Sequence, residues 1–137
     1  MKLTAIENLW EGDKEIDGQK LDTEALDIPK LYNKYMRIQN GVALEISVIE
    51  ASQAAMKMEK TKYYKGWCDK PYAKKIVVAE DLRTFIAGDK EVILLNAKLY
   101  DANLRFKTLD RILKQIENRS FHIKTALDYR KFIEGGY

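Results

Sequence analysis

Val92-Ile93-Leu94-Leu95-Asn96-Ala97-Lys98-Leu99-Tyr100-Asp101-Ala102-Asn103-Leu104-Arg105-Phe106-Lys107-Thr108-Leu109-Asp110-Arg111-Ile112-Leu113-Lys114-Gln115-Ile116 is the most regular stretch of this 137-residue chain. Val92, Leu95, Leu99, Ala102, Phe106, Leu109, Leu113 and Ile116 alternate spacings of three and four without a miss. Only an α-helix brings such positions to one side, and the pattern amounts to a heptad seam. At a rise of about 1.5 Å per residue the helix extends for roughly 45 Å, long for one small domain. Ile93, Tyr100 and Leu104 add a second apolar strip. Two readings stand side by side: a core helix packed on the helix from 42 to 65, or a helix–helix seam shared between subunits.

Outward from this helix the signals stay helical. Asp89 has the place and chemistry of its N-cap. Glu80 to Ala87 reads as a short helix stopped by Gly88. Ile76-Val77-Val78, β-branched, reads as a brief strand or an extended link, and residues 66–75 as a loop containing Asp69 and Pro71. Before it lies a second long helical arm. Val42, Ile46, Ile49 and Met56 form one stripe, and Leu44, Val48, Ala51, Ala55 and Met58 another, so this helix is expected to be covered on two sides. Asn40-Gly41 either breaks the arm or is tolerated at about 1 kcal/mol. Pro29 sits near its start, with Leu31, Tyr35 and Ile38 continuing the stripe, and Gly66 supplies its stop. Asp22 or Thr23 is expected to cap the helix that opens this arm. Leu3, Ile6, Leu9 and Trp10 predict a short amphipathic helix, with Trp10 as a packing anchor. At the other end, Asn118-Arg119-Ser120 predicts a turn with Ser120 as the cap of a last helix, ended by Gly135-Gly136.

The expected fold is therefore mainly α: long amphipathic helices in a hairpin or bundle, in one domain spanning 1–137. Its parts are an acidic segment at 1–20, a helical arm at 22–65, a basic loop at 66–78 and C-terminal helices at 79–134.

Charge is distributed unevenly along these parts. The net charge is only +3. Residues 1–28 carry a balance of −5, whereas residues 57–75 carry +5. Within the basic stretch, Lys57, Lys60, Lys62 and Lys65 fall within nine residues, beside Tyr63, Tyr64 and Trp67. Lysine holds phosphate, and an aromatic ring gives a base a surface to stack on. The plain alternative is a solvated lysine face with half-buried tyrosines.

Catalytic and metal chemistry leave no trace in the sequence. Cys68 is the sole cysteine and His122 the sole histidine. Glu45, Glu50, Glu59, Asp110 and Glu117 form no recognisable constellation, and no glycine-rich phosphate loop occurs. A non-enzymatic protein without metal or cofactor is expected. Neither a signal peptide nor an apolar run of membrane length is visible, so a soluble, cytosolic protein is expected.

Three short anchors, collinear over most of the chain, resemble one family. Ile49-Glu50-Ala51 leads to Lys60-Thr61-Lys62-Tyr63-Tyr64-Lys65-Gly66. Ala87-Gly88-Asp89-Lys90-Glu91-Val92 follows. Arg119-Ser120-Phe121-His122-Ile123-Lys124 comes third, with Arg130, Phe132 and Glu134-Gly135 in register after it. Together they resemble the UvsY family of T-even-type bacteriophage recombination mediators. The resemblance implies a single-stranded-DNA-binding mediator that helps load a phage recombinase onto DNA coated with the phage single-strand-binding protein. It implies a ring-like homo-oligomer, a hexamer or heptamer, in the cytoplasm of the infected bacterial host. It points to Lys57, Lys60, Lys62, Tyr63, Tyr64 and Lys65 for DNA contact, most firmly to Lys60, Tyr63 and Tyr64. Where the family carries a basic residue two before Lys60, this chain has Met58. Assembly in the family depends on the C-terminal helices, which here places Leu99, Phe106, Leu109, Leu113 and Ile116 at subunit contacts. The alternative is a helical oligomeric scaffold or adaptor without direct DNA binding.

Overall fold

The structure, a computed structural model, describes residues 1–135. Those residues form six helices and no strand: α1 Leu3–Asp13, α2 Leu21–Leu26, α3 Ile28–Lys65, α4 Ala79–Ala87, α5 Lys90–Glu117 and α6 Arg119–Ile133. They fall into two units, Met1–Val42 with the segment that begins at Leu104, and Ala43–Asn103.

In the first unit, the early part of α3 runs antiparallel to the late part of α5. The Tyr32 hydroxyl meets Glu117, and Gln39 donates to the carbonyl of Phe106. Ile6, Leu21, Tyr35, Leu109, Ile112, Leu113, Ile116 and Ile123 are buried here. Leu109 and Ile116 are 0 % exposed and Leu113 is 5 % exposed, so these expected subunit contacts are taken up by the core of one chain. Trp10 is the packing anchor its sequence position implied, set edge-on to Tyr35 with ring centroids 5.5 Å apart.

Arg119 organises this unit. Its side chain is 6 % exposed. The guanidinium donates to the carbonyls of Asp13, Lys14 and Glu15 and to the Glu24 carboxylate. It thereby satisfies carbonyls at the end of α1, which lack a helical partner. The turn expected at Asn118-Arg119-Ser120 is shortened to Asn118 alone, between α5 and α6. With Arg119 directed inward, Asn118 keeps a helical backbone, α6 starts at Arg119, and Ser120 lies inside the helix. The cap expected at Asp22 or Thr23 is also displaced. A turn from Asp17 to Lys20 delivers Leu21, 5 % exposed, into the core, and α2 starts there without a side-chain cap. Asp22 and Glu24 instead occupy its first turn, where the helix dipole favours them.

α3 passes Asn40-Gly41 without a break, and Pro29 is its second residue, where a missing N–H costs little. In the second unit its later part runs antiparallel to the start of α5, with the Gln53 amide donating to Asn96 at 2.8 Å. Ile49 is buried, while Leu44, Val48 and Met58 on the other stripe are 71 %, 67 % and 63 % exposed. Only one of the two stripes on α3 is covered within the chain. The residues Ile76–Val78 form no strand; they are an extended link into α4.

Candidate nucleic-acid interface

The basic stretch occupies the last three turns of α3. Gly66 ends the helix at φ +80°, a conformation that costs a side-chain-bearing residue energy. The Trp67 N–H donates to the carbonyl of Lys62 at 2.7 Å and the Gly66 N–H to that of Tyr63, the paired bonds of a Schellman stop. The following loop then folds back. The N–H of Tyr72 donates to the Tyr63 carbonyl and that of Ile76 to the Tyr64 carbonyl. The helix end is thus closed by its own loop, and positive lysines lie where the dipole leaves negative charge.

Asp89 fixes this end to the start of α5. Its Oδ1 accepts the N–H of Glu91 at 3.0 Å, which caps α5 as the sequence implied. Its Oδ2 accepts the Tyr64 hydroxyl at 2.8 Å and lies 3.3 Å from Lys60 Nζ. Glu91 adds a second carboxylate 3.5 Å from the same ammonium. Lys60 and Asp89 are 12 % and 11 % exposed. Burial alone would raise the Asp89 carboxyl, but the bonds from Tyr64, the Glu91 amide and Lys60 outweigh it and hold the pKa below 3.8. Burial would likewise lower Lys60, and the two carboxylates reverse this and raise it. Burial and the Asp89 charge push the Tyr64 phenol up to about 12.

The six residues expected at a DNA site therefore separate. Lys60 is engaged by Asp89 and Glu91, and Tyr64, 7 % exposed, packs against Tyr63, Tyr72 and Phe85. Lys60 was expected to contact DNA, and of Tyr63 and Tyr64 one was expected to face DNA while the other packs. The polar atoms of Lys60 and Tyr64 point to the junction with α5. Lys57 and Lys62 are exposed, with no ion-pair partner among the described residues. Tyr63 is half-buried beside Lys60. Lys65 lies 4.8 Å from the centre of the Trp67 ring, and Trp67 is 65 % exposed. Lys60, Lys62, Tyr63 and Lys70 line one open hollow of about 500 Å³, which Glu59, Cys68 and Asp69 complete. Sequence reading noted Trp67 beside the lysines without naming it for DNA contact, and it missed Lys70 and Asp89 as parts of this end. The +5 balance of 57–75 was the signal for Lys70, whereas nothing local linked Asp89 to Lys60.

A basic, aromatic helix end on a chain whose described residues form helices and no strand is the feature against which relatives can be judged. The family described as "Recombination, repair and ssDNA binding protein UvsY" matches residues 9–136. The chain belongs to the UvsY family. Its relative "Recombination protein uvsY" of Enterobacteria phage T4 is 26 % identical over 98 % of this chain and 99 % of that protein. Crystal structures of the bacteriophage T4 recombination mediator protein UvsY share the fold. One superimposes with a TM-score of 0.90 at 26 % identity, covering 99 % of both chains. A second lattice form gives 0.87 at 25 %, covering 93 % of this chain and 98 % of that one. The UvsY assignment carries recombination, repair and single-stranded-DNA binding as the family's function. Among the described residues no cluster of metal-ligating side chains occurs, and no helix is long and apolar enough to cross a membrane.

Proposed function

We propose that this protein is a recombination mediator. It binds single-stranded DNA coated with a phage single-strand-binding protein and helps a phage recombinase nucleate there, in the cytoplasm of the infected host and without a chemical step of its own. The observation that carries the DNA reading is the end of α3, where unpaired cations sit with the exposed Trp67 ring and the half-buried Tyr63 ring on a helix terminus closed by its own loop. Lys57, Lys62 and Lys70 contact phosphates, Lys65 joins them from its place over Trp67, and Tyr63 and Trp67 offer stacking surfaces. Lys60 and Tyr64 act one step behind, holding the helix end against α5.

Few contacts per subunit make single-subunit binding weak, and a ring that repeats them along one strand converts them into avidity. Support for assembly comes from apolar faces left open in one chain. Leu44, Val48, Ala51, Ala55 and Met58 keep heptad spacing and are exposed on α3, as are Phe121, Tyr129 and Ile133 on α6. Leu99 and Phe106 are half-buried. The test is the lag before recombinase ATP hydrolysis on DNA coated with the cognate single-strand-binding protein. Added mediator shortens the lag and hydrolyses no nucleotide itself; an unchanged lag over a full titration overturns the reading.

A further inference from the structure

α3, α4 and the first turns of α5 enclose a cleft of about 240 Å³ on the second unit. Its floor is aliphatic, formed by Met56, Ile86, Val92 and Leu95. Lys57 from α3 and Arg83 from α4 also line it, both exposed and both without an ion-pair partner among the described residues. No carboxylate lines the cleft. The amides of Gln53 and Asn96 on one wall are bonded to each other.

We propose that this cleft binds an acidic segment of a partner protein, seating one apolar anchor side chain on the aliphatic floor and placing flanking carboxylates on Lys57 and Arg83. The volume lies below the roughly 300–1,000 Å³ of small-molecule sites, so it suits a side chain rather than a cofactor. Charge complementarity selects the acid: the two cations are uncompensated, and carboxylate–guanidinium pairing is directional. A nucleobase fits less well. Its polar edges would lose water against an aliphatic floor, and the bond between Gln53 and Asn96 already takes one donor and one acceptor of the only amides there. Lys57 belongs to both this cleft and the basic stretch, so an acidic segment seated here competes with DNA phosphate for one cation. That last consequence rests on the DNA reading above; the cleft proposal itself does not.

The experiment uses the full chain and a fluorescein-labelled acidic peptide of aspartates with one central phenylalanine, followed by anisotropy. Arg83→Glu reverses one cation on an exposed position. Ala87→Met fills the cleft from its exposed rim and keeps both cations. Each should weaken peptide binding at least tenfold, as should replacing the peptide's phenylalanine with alanine, while Ala87→Met leaves oligothymidylate affinity unchanged. The proposal is overturned if wild type shows no saturable peptide binding. Equal binding of the alanine peptide overturns it too, because it would show charge attraction alone. If Ala87→Met weakens oligothymidylate but not the peptide, the occupant is DNA. If it changes only the mass in solution, the occupant is a second copy. Either result overturns the proposal. Thermal melts of both variants identify misfolding, and the alanine-peptide comparison on wild type stands without any variant.

Discussion

Replacing Asp89 by alanine removes three interactions at once. The cap of α5 is worth about 1 kcal/mol. The Tyr64 hydroxyl bonded to a charged acceptor is worth about 1.5–3 kcal/mol. The Lys60 pair lies between an exposed bridge, at about 0–1 kcal/mol, and a fully buried one, whose disruption costs about 3–5. With both partners about one-tenth exposed, some solvent screening remains, and Glu91 still faces Lys60. The three share one carboxylate and do not add, so a total of about 3–4 kcal/mol is expected. Asp89→Asn keeps one oxygen for the cap but turns an amide NH2 toward Tyr64 and Lys60, so it should cost less than Asp89→Ala by about the value of the cap, roughly 1 kcal/mol. Urea unfolding at constant m-value measures both. Lys60→Ala completes the test, because it separates holding the helix end from touching DNA. It should lower stability and leave the salt slope of single-stranded-DNA affinity at the wild-type value. The reasoning fails if Asp89→Ala lies within about 0.5 kcal/mol of wild type, the range of ordinary surface substitutions. It fails equally if Lys60→Ala flattens the salt slope as much as Lys62→Ala.

Lys62→Ala should keep wild-type stability and reduce the slope of log affinity against log salt by about 0.7, one phosphate contact, measured by anisotropy with oligothymidylate. Trp67→Ala should lose about 1–3 kcal/mol of binding at constant slope, whereas Tyr64→Phe should mainly destabilise. The stabilisation from Asp89 is present above pH 3.8 and is lost as pH falls through its lowered folded value. That from Lys60 is present below 10.5 and is lost as pH rises through its raised folded value. The stability gap between wild type and Asp89→Asn should therefore be flat between about pH 4 and 10 and should narrow in acid. Gly41→Ala should stabilise by about 0.5–1 kcal/mol in urea unfolding, because an added Cβ meets nothing within 4 Å in an unbroken helix. Val48→Glu with Met58→Glu should reduce the mass in sedimentation while the subunit stays folded, since both positions are exposed. Leu109→Lys with Leu113→Lys should instead unfold the subunit, because both are core.

Residues a few positions apart carried most of the fold in the sequence. The three-four spacing of Val92 to Ile116 fixed α5, because helical periodicity is local and a core stripe must keep it. Gly66 and Asp89 announced a helix end and a helix start through backbone chemistry within a few residues of themselves. The lysine and tyrosine content of 57–65 located the candidate DNA face. Tertiary structure decided which of those side chains remained available. Lys60 and Tyr64 follow Met56 at spacings of four along the covered stripe, but no local pattern names their partner; α5 brings Asp89 to that pair and leaves Lys62 exposed and Tyr63 half-buried. The same applies to the seam. Heptad spacing states that Leu109 and Ile116 need cover, but not whether the cover comes from the same chain, and here the first unit provides it. Arg119 gave no local sign at all: its partners Asp13, Lys14 and Glu15 are more than a hundred residues away, and only folding makes that charge a helix cap.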